Sequence, residues 1–433
     1  MRVQPWPWPK GHATRMATLS AKPTLREREQ PSNLPYTESP WQNNFQLYNF
    51  QLYNFQLYNF QLYNLKHSTV EEMRITVIVP TYRRPKDLER CLQALAKQTR
   101  PADQVLVIVR NTDAETWAFL EAFNPEVLPM RPVKLSIPGQ VAALNAGLDR
   151  AQGDIIAITD DDAAPRGNWL ADIKTHFESD HRIGGVGGRD WIHLGNYLEN
   201  GARERVGRVQ WYGRVIGNHH LGVGLPREVD VLKGANMSYR RTAISGLRFD
   251  QRLRGTGAQV HNDLGFSLAL RKEGWKLIYD PGVAVDHYPA QRFDEDQRGI
   301  VFSDTALINA AHNETIVLLD YFPVLQRIIF IVWSTLVGTR VQPGFLQCLR
   351  SFPKEGLLAG QKWLASLRGR WQGWLSWKKP NIPFPAIYLF RWAVESRYYS
   401  LMRYVSAKVG YSLGVVRVSA RINNHMLIEK KTG

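Results

Sequence analysis

Residues 155–162 read IIAITDDD, and this stretch decides the fold. Residues 155–159 are apolar or β-branched, which is typical of a buried strand. Three carboxylates follow at once, and Pro165 prevents a simple continuation of the strand ladder. Adjacent acids repel one another unless a positive group lies among them, and a divalent cation at the carboxyl edge of a sheet would meet that need. The alternative is a solvated acidic turn, the commoner fate of an isolated acidic cluster.

The residues before this stretch predict a parallel α/β architecture. Residues 74–80 are a β-branched strand that ends in proline, and a helix from about Asp87 carries its apolar residues on one face. A second strand follows at Gln104–Val109, and this order of strand, helix and strand indicates a parallel unit. Neither Gly-x-Gly-x-x-Gly nor Gly-x-x-x-x-Gly-Lys follows the first strand, which disfavours a dinucleotide dehydrogenase or a P-loop enzyme.

Length and charge indicate a large, unevenly charged protein. A chain of 433 residues can bury a sizeable core and suggests two or three domains. The formal net charge is +16, and residues 316–433 hold 17 Lys and Arg against four acids. This basic segment favours an anionic partner, either lipid headgroups or nucleic acid. Two cysteines cannot form a disulfide framework or a zinc site alone, which fits a reducing, cytosolic environment.

Residues 1–72 are predicted to be disordered and of low complexity, because they lack a sustained apolar period. Residues 44–63 repeat Asn-Phe-Gln-Leu-Tyr four times, and a period of five matches neither a helix nor a strand. Such an array could aggregate or bind a partner, but a tandem duplication without a fold is favoured. No apolar secretory region opens the chain, and we expect translation to begin at Met73.

Several motifs in order resemble family 2 glycosyltransferases. Residues 77–84 read VIVPTYRR and are similar to the opening strand and loop of that family, where the loop packs on the nucleotide of a sugar donor. Residues 138–148 resemble the family's Gly-x-x-x-Ala-x-Asn-x-Gly helix, and Asp160 and Asp162 match its metal-binding Asp-x-Asp. The resemblance implies an α/β, GT-A-like fold with a Rossmann-type central mixed sheet flanked by helices.

The resemblance also implies which residues bind the donor. Asp113 stands where the family has a base-reading acid, although the second strand here ends in Arg110-Asn111 rather than in an acidic pair. Arg110 could pair with phosphate or be a solvated strand end, and Asn145 would face the donor. The implied donor-binding residues are Pro80, Thr81, Tyr82, Arg84, Asp113, Asn145, Asp160 and Asp161.

A divalent cation, Mg²⁺ or Mn²⁺, is the cofactor that the resemblance implies. Asp160 and Asp162 would hold it, with His287 as a third ligand at the end of a strand that resembles the family's Tyr-x-Pro strand. A departing nucleoside diphosphate gains negative charge, which a hard cation offsets. Carboxylate and phosphate oxygens suit Mg²⁺ or Mn²⁺. The alternative is a structural histidine, the commoner role of a lone His.

Asp263 is the catalytic residue that the resemblance implies. It opens a predicted helix at the position of the family aspartate that deprotonates the acceptor hydroxyl. Without that motif it would be an ordinary acid that complements the helix dipole. Residues 231–241 resemble the family's Gly-x-Asn strand beside the acceptor. The predicted acceptor-side residues are Gly234, Asn236 and Trp191.

The tail, residues 316–433, is predicted to be a helical, membrane-associated region. Residues 328–337 form its clean apolar core, which is shorter than the roughly 20 residues of a membrane span. A re-entrant or interfacial helix is favoured, with a true span as the alternative. The aromatic stripe of residues 363–375 suits anionic lipid headgroups, and its alternative is a helix packed on the catalytic domain. No nucleic-acid module accompanies the charge, so nucleic acid is a poorer partner.

The predicted domains are residues 1–72, 73–315 and 316–433. The predicted activity is that of a metal-dependent, inverting glycosyltransferase of hexosyltransferase type, which uses a nucleotide-sugar donor and a lipid-linked or saccharide acceptor. It would work in polysaccharide or glycolipid synthesis at the cytoplasmic face of the cell membrane. A processive synthase is disfavoured, because residues 291–293 read Gln-Arg-Phe and fall short of Gln-x-x-Arg-Trp. A catalytically silent, membrane-docked nucleotide-sugar-binding protein is the other alternative.

Overall fold

The computed structural model describes residues 72–124, 127–293 and 302–378, and besides these only residues 52, 55 and 56. The chain divides into one unit of residues 1–72 and a second of residues 73–433. The predicted disorder of residues 1–72 and the part of the predicted tail beyond residue 378 lie outside the described residues.

The first half of the second unit alternates strands and helices. In chain order these are β1 (Ile75–Thr81), α1 (Pro85–Ala96), β2 (Gln104–Arg110), α2 (Ala114–Ala122), β3 (Met130–Leu135), α3 (Gln140–Leu148), β4 (Ile155–Ile158) and β5 (Ala163–Pro165). Strand β1 lies parallel to both β2 and β4, and β2 lies parallel to β3. The predicted parallel unit is confirmed.

The second half completes a mixed sheet. Its elements are α4 (Trp169–Ser179), β6 (Ile183–Leu194), β7 (Tyr197–Leu198), β8 (Arg208–Val209), β9 (Val215–Ile216), β10 (Arg227–Val229), β11 (Met237–Arg240), α5 (Asn262–Lys272) and β12 (Lys276–His287). The strand order is β10-β12-β6-β11-β4-β1-β2-β3, with β11 antiparallel to both β4 and β6. The predicted α/β fold with a central mixed sheet is confirmed.

Apolar side chains form one buried cluster on each face of the sheet. On one face Ile78 packs with Leu144 of α3 and Phe266 of α5. On the other face Val77 packs with Leu92 of α1. Because β1, β2 and β4 run in parallel, their carboxyl ends meet at one edge of the sheet. That edge holds the triple acid and the loop after β1.

Up to residue 378, four helices follow the sheet, namely α6 (Asp304–Tyr321), α7 (Val324–Leu336), α8 (Phe345–Glu355) and α9 (Leu357–Lys378). Among the described residues, we find no helix whose length and apolarity would let it cross a bilayer. Helix α6 carries Val317 and Leu318 into the main core, so the predicted boundary at residue 316 falls inside a packed helix.

Helix α9 packs closely against α6. A Cβ atom on Gly369 would lie 2.4 Å from the Ile308 carbonyl oxygen, and one on Gly373 would lie 2.7 Å from the His312 carbonyl oxygen. Glycine is needed at both places because the two backbones approach so closely. The alternative of a helix packed on the catalytic domain therefore describes the glycine face of α9. Trp371 of the aromatic stripe is 49% exposed, so the lipid-facing role of that stripe stays a prediction.

Candidate active site

A cavity of about 340 Å³ opens at the carboxyl edge of β1, β2 and β4, a volume within the range of small-molecule sites. The loop after β1, the start of α3 and the triple acid form most of its wall. Of the residues predicted from the sequence, it is lined by Pro80, Thr81, Tyr82, Arg84, Asp160, Asp161, Asp162 and His287.

The guanidinium of Arg84 lies among the three acids. Its Nη1 atom is 2.9 Å from Asp161 Oδ1 and 3.3 Å from Asp162 Oδ2. Asp161 and Asp162 are 1% and 5% exposed, so the alternative of a solvated acidic turn is wrong. A positive group is indeed present among the repelling carboxylates, and in this structure it comes from the chain itself.

The acids differ in how readily they ionise. Burial raises the pKa of Asp161 to about 7, although the Arg84 guanidinium opposes that effect. Burial also raises the pKa of Asp160, and the Asp162 charge adds to it. Burial likewise opposes ionisation of Asp162, but the nearby His287 ring, the Ala290 N–H and Arg84 together hold the pKa of Asp162 below its usual range. The cluster therefore keeps one firmly ionised carboxylate beside two that lose protons less readily.

His287 lies at the end of β12 against Asp162. It is 3% exposed, and its Nε2 atom is 3.4 Å from Asp162 Oδ1. Across the described part of the chain, neither ring nitrogen of His287 has a hydrogen-bond partner, and neither does Asp161 Oδ2. Buried polar atoms are normally paired, so these unpaired atoms indicate that a further polar group belongs here.

A hard divalent cation fits this donor set, because carboxylate oxygen and imidazole nitrogen both bind Mn²⁺ and Mg²⁺ accepts the oxygens. Within residues 72–378, as far as they are described, no three His, Cys, Asp or Glu side chains are already arranged around a common point. Arg84 lies between Asp161 and Asp162, and its guanidinium balances part of their negative charge.

The aromatic side chains of Tyr82 and Phe293 and the cationic side chains of Arg110 and Arg292 also line the cavity. The guanidinium carbons of Arg83 and Arg110 lie 5.1 and 5.5 Å from the centre of the Tyr82 ring. The Phe293 ring meets Tyr82 edge-on, with 6.4 Å between the ring centres. Arg110 therefore lines the cavity and is not a solvated strand end.

Two predicted donor-binding residues lie outside the cavity. Asp113 accepts a hydrogen bond from the Arg83 N–H at 2.6 Å and caps α2 by accepting from the Thr116 N–H at 3.2 Å. Asn145 donates to the Phe249 carbonyl at 2.9 Å and accepts from the Phe249 N–H at 2.8 Å. Both side chains are occupied by backbone groups, so Asp113 shapes the loop after β1 and Asn145 fastens α3 to the loop at Phe249.

Sequence reasoning missed several residues that line the cavity. Gln140 donates from Nε2 to Asp160 Oδ1 at 3.2 Å, and Arg292 and Phe293 follow His287 into the wall. The sequence did carry signals for them. Gln140 is the first residue of α3, the helix that the motif predicts, and residues 291–293 directly follow the predicted strand that ends near His287.

Asp263 lies in the first turn of α5, where its Oδ2 atom accepts from the Gly234 N–H at 3.3 Å. The preceding residue, Asn262, donates to Gln140 Oε1 at 3.4 Å, and Gln140 in turn contacts Asp160. A Cβ atom on Gly234 would meet nothing within 4 Å, so the space beside that glycine is open. The predicted base and the predicted acceptor-side glycine are thus neighbours, joined to the acids by two side chains.

The other two predicted acceptor-side residues differ from each other in exposure. Asn236 is 1% exposed, accepts from Trp169 Nε1 at 2.9 Å and donates to the Val283 carbonyl at 2.8 Å. Its amide is therefore used inside the core and is not presented to an acceptor. Trp191 is partly exposed and lies under the Arg189 guanidinium, with 3.7 Å from the guanidinium carbon to the ring centre.

Residues 76–247 match the model described as Glycosyl transferase family 2. The chain is 30% identical over 103 residues to Glycosyltransferase AglE of Haloferax volcanii, and 36% identical over 105 residues to Succinoglycan biosynthesis protein ExoM of Rhizobium meliloti. These alignments cover 22% and 23% of this chain and 33% of each relative, so the chain spans about a third of the length of the curated relatives it matches.

Two solved structures are also similar. TarS residues 1–349 of S. aureus, in complex with UDP-GlcNAc, gives a TM-score of 0.47 at 17% identity and covers 70% of this chain and 81% of that chain. Mannosyltransferase PcManGT of Pyrobaculum calidifontis, in complex with GDP-Man and Mn²⁺, gives 0.42 at 18% identity and covers 79% and 85%. The family match spans β1, α3 and the triple acid around the cavity, and over residues 76–247 the predicted resemblance to glycosyltransferase family 2 is confirmed.

Proposed function

We propose that this protein is a metal-dependent, inverting glycosyltransferase that moves a sugar from a nucleoside-diphosphate donor to an acceptor hydroxyl. The observation that carries the proposal is that one cavity is lined by both the proposed donor-binding loop and the proposed metal ligands. Its wall combines the loop after β1 with Asp160, Asp162 and His287, at the sheet edge where α/β proteins bind ligands.

The charges in the cavity suit a diphosphate. Arg84, Arg110 and Arg292 line the same cavity as the acids. Arginine pairs well with phosphate because its planar fork of N–H donors matches two phosphate oxygens. Tyr82 adds an aromatic face for a base to stack on. A nucleoside diphosphate would thus find cations for its phosphates and a ring for its base in one wall.

Asp160, Asp162 and His287 would hold the Mg²⁺ or Mn²⁺ ion. When bound, the ion would supply positive charge to offset that of the departing diphosphate. The chain already orients these ligands. Gln140 donates to Asp160, and the Ala290 N–H donates to Asp162 Oδ2 at 2.9 Å, so neither carboxylate is free to rotate.

Asp263 would act as the general base. Its carboxylate would take the proton of the acceptor hydroxyl as the acceptor oxygen bonds to the anomeric carbon. The bond from that carbon to the diphosphate oxygen would break in the same step, and one displacement of this kind inverts the configuration. The open space beside Gly234 leaves room for the hydroxyl.

Release of nucleoside diphosphate from nucleotide sugars tests this proposal without knowledge of the acceptor, because water can serve in its place. Asp263→Asn should slow release by about 100-fold or more, as loss of a general base does. Stabilisation of the variant against heating by nucleotide sugar and Mn²⁺ should stay unchanged. Asp87→Asn, in the first turn of α1, removes the same charge from a helix end outside the cavity and should keep the native rate. Native turnover in Asp263→Asn would remove that residue from the role.

One observation favours a second function, a catalytically silent nucleotide-sugar-binding protein. Arg84 pairs with the acids that would hold the metal ion. One experiment separates the two functions. The silent protein would be stabilised by nucleotide sugars, yet it would release no nucleoside diphosphate with Mn²⁺ and any acceptor.

We further propose that the enzyme adds one sugar per encounter to a lipid-linked or saccharide acceptor at the cytoplasmic face of the cell membrane. Two features support a role in polysaccharide or glycolipid synthesis. One is the 36% identity to a succinoglycan biosynthesis protein, and the other is the basic charge of residues 316–433. A ladder of products from one acceptor molecule would instead indicate a processive synthase.

A further inference from the structure

Helices α7 and α8 turn apolar side chains outwards. Each of the five on α7 is at least 51% exposed, and each of the four on α8 at least 44%. The α7 residues are Val324, Leu325, Ile328, Val332 and Leu336, and the α8 residues are Phe345, Leu346, Leu349 and Phe352. Val341, in the loop between the helices, is 77% exposed. We call these ten residues the α7–α8 surface.

The apolar stripe on α7 is additional to the face that packs on the protein. Phe330 and Ser334 of α7 are fully buried, and Phe330 belongs to the main core. Ile328, Val332 and Leu336 recur every four residues, so they share one helical face. Soluble monomers seldom expose so many large apolar side chains in consecutive elements, and such patches mark interaction surfaces.

The charges around this surface identify the kind of partner. From residue 324 to residue 355, the end of α8, the charged residues are Arg327, Arg340, Arg350, Lys354 and Glu355, which leaves a net charge of 4 − 1 = +3, and Glu355 pairs with Lys362 at 2.7 Å. Residues 379–433 contain nine Lys and Arg against two Glu. Repulsion between like charges therefore disfavours the chain's own C-terminal segment as the cover, and it equally disfavours the same surface of a second copy.

We propose that the α7–α8 surface docks on an anionic lipid bilayer, with its apolar side chains at the acyl boundary and its cations at the headgroup phosphates. This proposal depends on the proposed function in one respect only, the expectation that the protein acts at a membrane. The helices have 13 and 11 residues, or about 20 and 16 Å, so they fit an interfacial position and are too short for a span of about 30 Å.

Buried contacts attach this surface to the proposed acceptor side of the active site. Gln342, in the loop between α7 and α8, is 5% exposed. Its Nε2 atom lies 3.4 Å from Nε2 of His261, the residue immediately before α5, and its Oε1 atom accepts from Arg370 Nη2 at 3.2 Å. Docking through α7 and α8 would therefore fix the orientation of the helix that carries Asp263 relative to the bilayer.

Flotation of the full chain with vesicles tests the surface. We expect the native protein to float with vesicles of phosphatidylcholine and phosphatidylglycerol, and to float poorly with phosphatidylcholine alone. The double variant Leu325→Glu/Leu349→Glu should bind the anionic vesicles at least about tenfold more weakly, because it puts charge into the apolar stripe. Arg340→Gln should weaken binding about fivefold, since one cation near such a surface contributes about 1 kcal/mol.

The matched control is Leu225→Glu, which changes an 83% exposed leucine between β9 and β10 and should float like the native protein. All three leucines are exposed, so each variant should keep the native melting temperature. Equal flotation of the native chain and the double variant, or no flotation of the native chain, would overturn the proposal. So would a native dimer that the double variant converts to a monomer with flotation unchanged. Because flotation needs no donor, its failure is separate from a failure of diphosphate release.

Discussion

Replacing Arg84 by methionine tests how the triple acid is balanced. The substitution keeps an unbranched apolar stem and removes the guanidinium that lies 2.9 Å from Asp161 and 3.3 Å from Asp162. The side chains of the two acids are 2% and 7% exposed, and that of Arg84 is 22% exposed. The variant therefore leaves two buried carboxylates without their nearest positive group.

The expected loss of stability follows from this geometry. Removing one partner of a buried ion pair costs about 3 to 5 kcal/mol. Arg84 is partly exposed, so solvent already screens some of the attraction. Asp161 can also take up a proton, because burial already raises its pKa to about 7 and loss of Arg84 would raise it further. We therefore expect the free energy of unfolding in metal-free buffer to fall by about 2 to 3 kcal/mol.

Mn²⁺ should recover much of that loss. In the native chain a metal ion would compete with the Arg84 guanidinium for Asp162, whereas in Arg84→Met that carboxylate would be free to bind it. We expect the variant to bind Mn²⁺ about tenfold more tightly, so saturating Mn²⁺ should stabilise it by about 1.4 kcal/mol more than the native chain. Urea unfolding with and without MnCl₂ measures both quantities.

The control for this experiment is Arg248→Met. It removes a guanidinium from an exposed pair, since the side chains of Arg248 and Asp149 are 45% and 55% exposed. Such pairs contribute about 1 kcal/mol at most, and the Mn²⁺ response should be native. Equal stabilisation of native and Arg84→Met chains by Mn²⁺ would refute the idea that metal and guanidinium compete for the same carboxylates.

Two further predictions concern the packing of α6 against α9. Burial lowers the pKa of His312 to about 3, so the folded chain keeps this ring neutral while the unfolded chain protonates it near pH 6.5. Stability should therefore be retained above pH 6.5 and fall by up to about 1.4 kcal/mol per pH unit below it, and His312→Gln should remove that part of the urea-unfolding profile. Arg370 pairs with Glu314 at 3.1 Å inside the same interface. Arg370→Met should destabilise the chain by about 3 to 5 kcal/mol, and adding Glu314→Leu should recover most of that loss; a double variant no more stable than the single one would contradict this.

The strands were predictable because their information is local. The second strand was predicted at Gln104–Val109 and ends one residue later, at Arg110. A near-continuous apolar run such as that of residues 105–109 is typical of a strand buried on both faces of a parallel sheet. The same holds for the acids. They directly follow a buried strand, and parallel topology brings the ends of β1, β2 and β4 to one edge, so the cavity could be predicted from the order of the motifs.

Hydrogen-bond partners were not predictable, because they are distant in sequence. Asn145 was expected to face the donor, yet it binds the backbone of Phe249, 104 residues away. Asn236 was expected beside the acceptor, yet Trp169 and Val283 use both ends of its amide. An Asn at a motif position shows that a polar group is needed there. It does not show whether a ligand or the chain's own backbone will meet it.

The C-terminal helices show the same limit for apolar side chains. The stripe of residues 363–375 predicts that its own face of α9 is covered, but in the structure α6 lies against the face of Gly369 and Gly373, and Trp371 of the stripe is 49% exposed. The outward stripe on α7 has the same kind of spacing, but α7 already packs on the core through Phe330. Helical periodicity alone cannot tell these cases apart, because it identifies a face and not what covers it. Only after the inner face of each helix has been assigned does the exposed stripe on α7 become a surface in need of a partner.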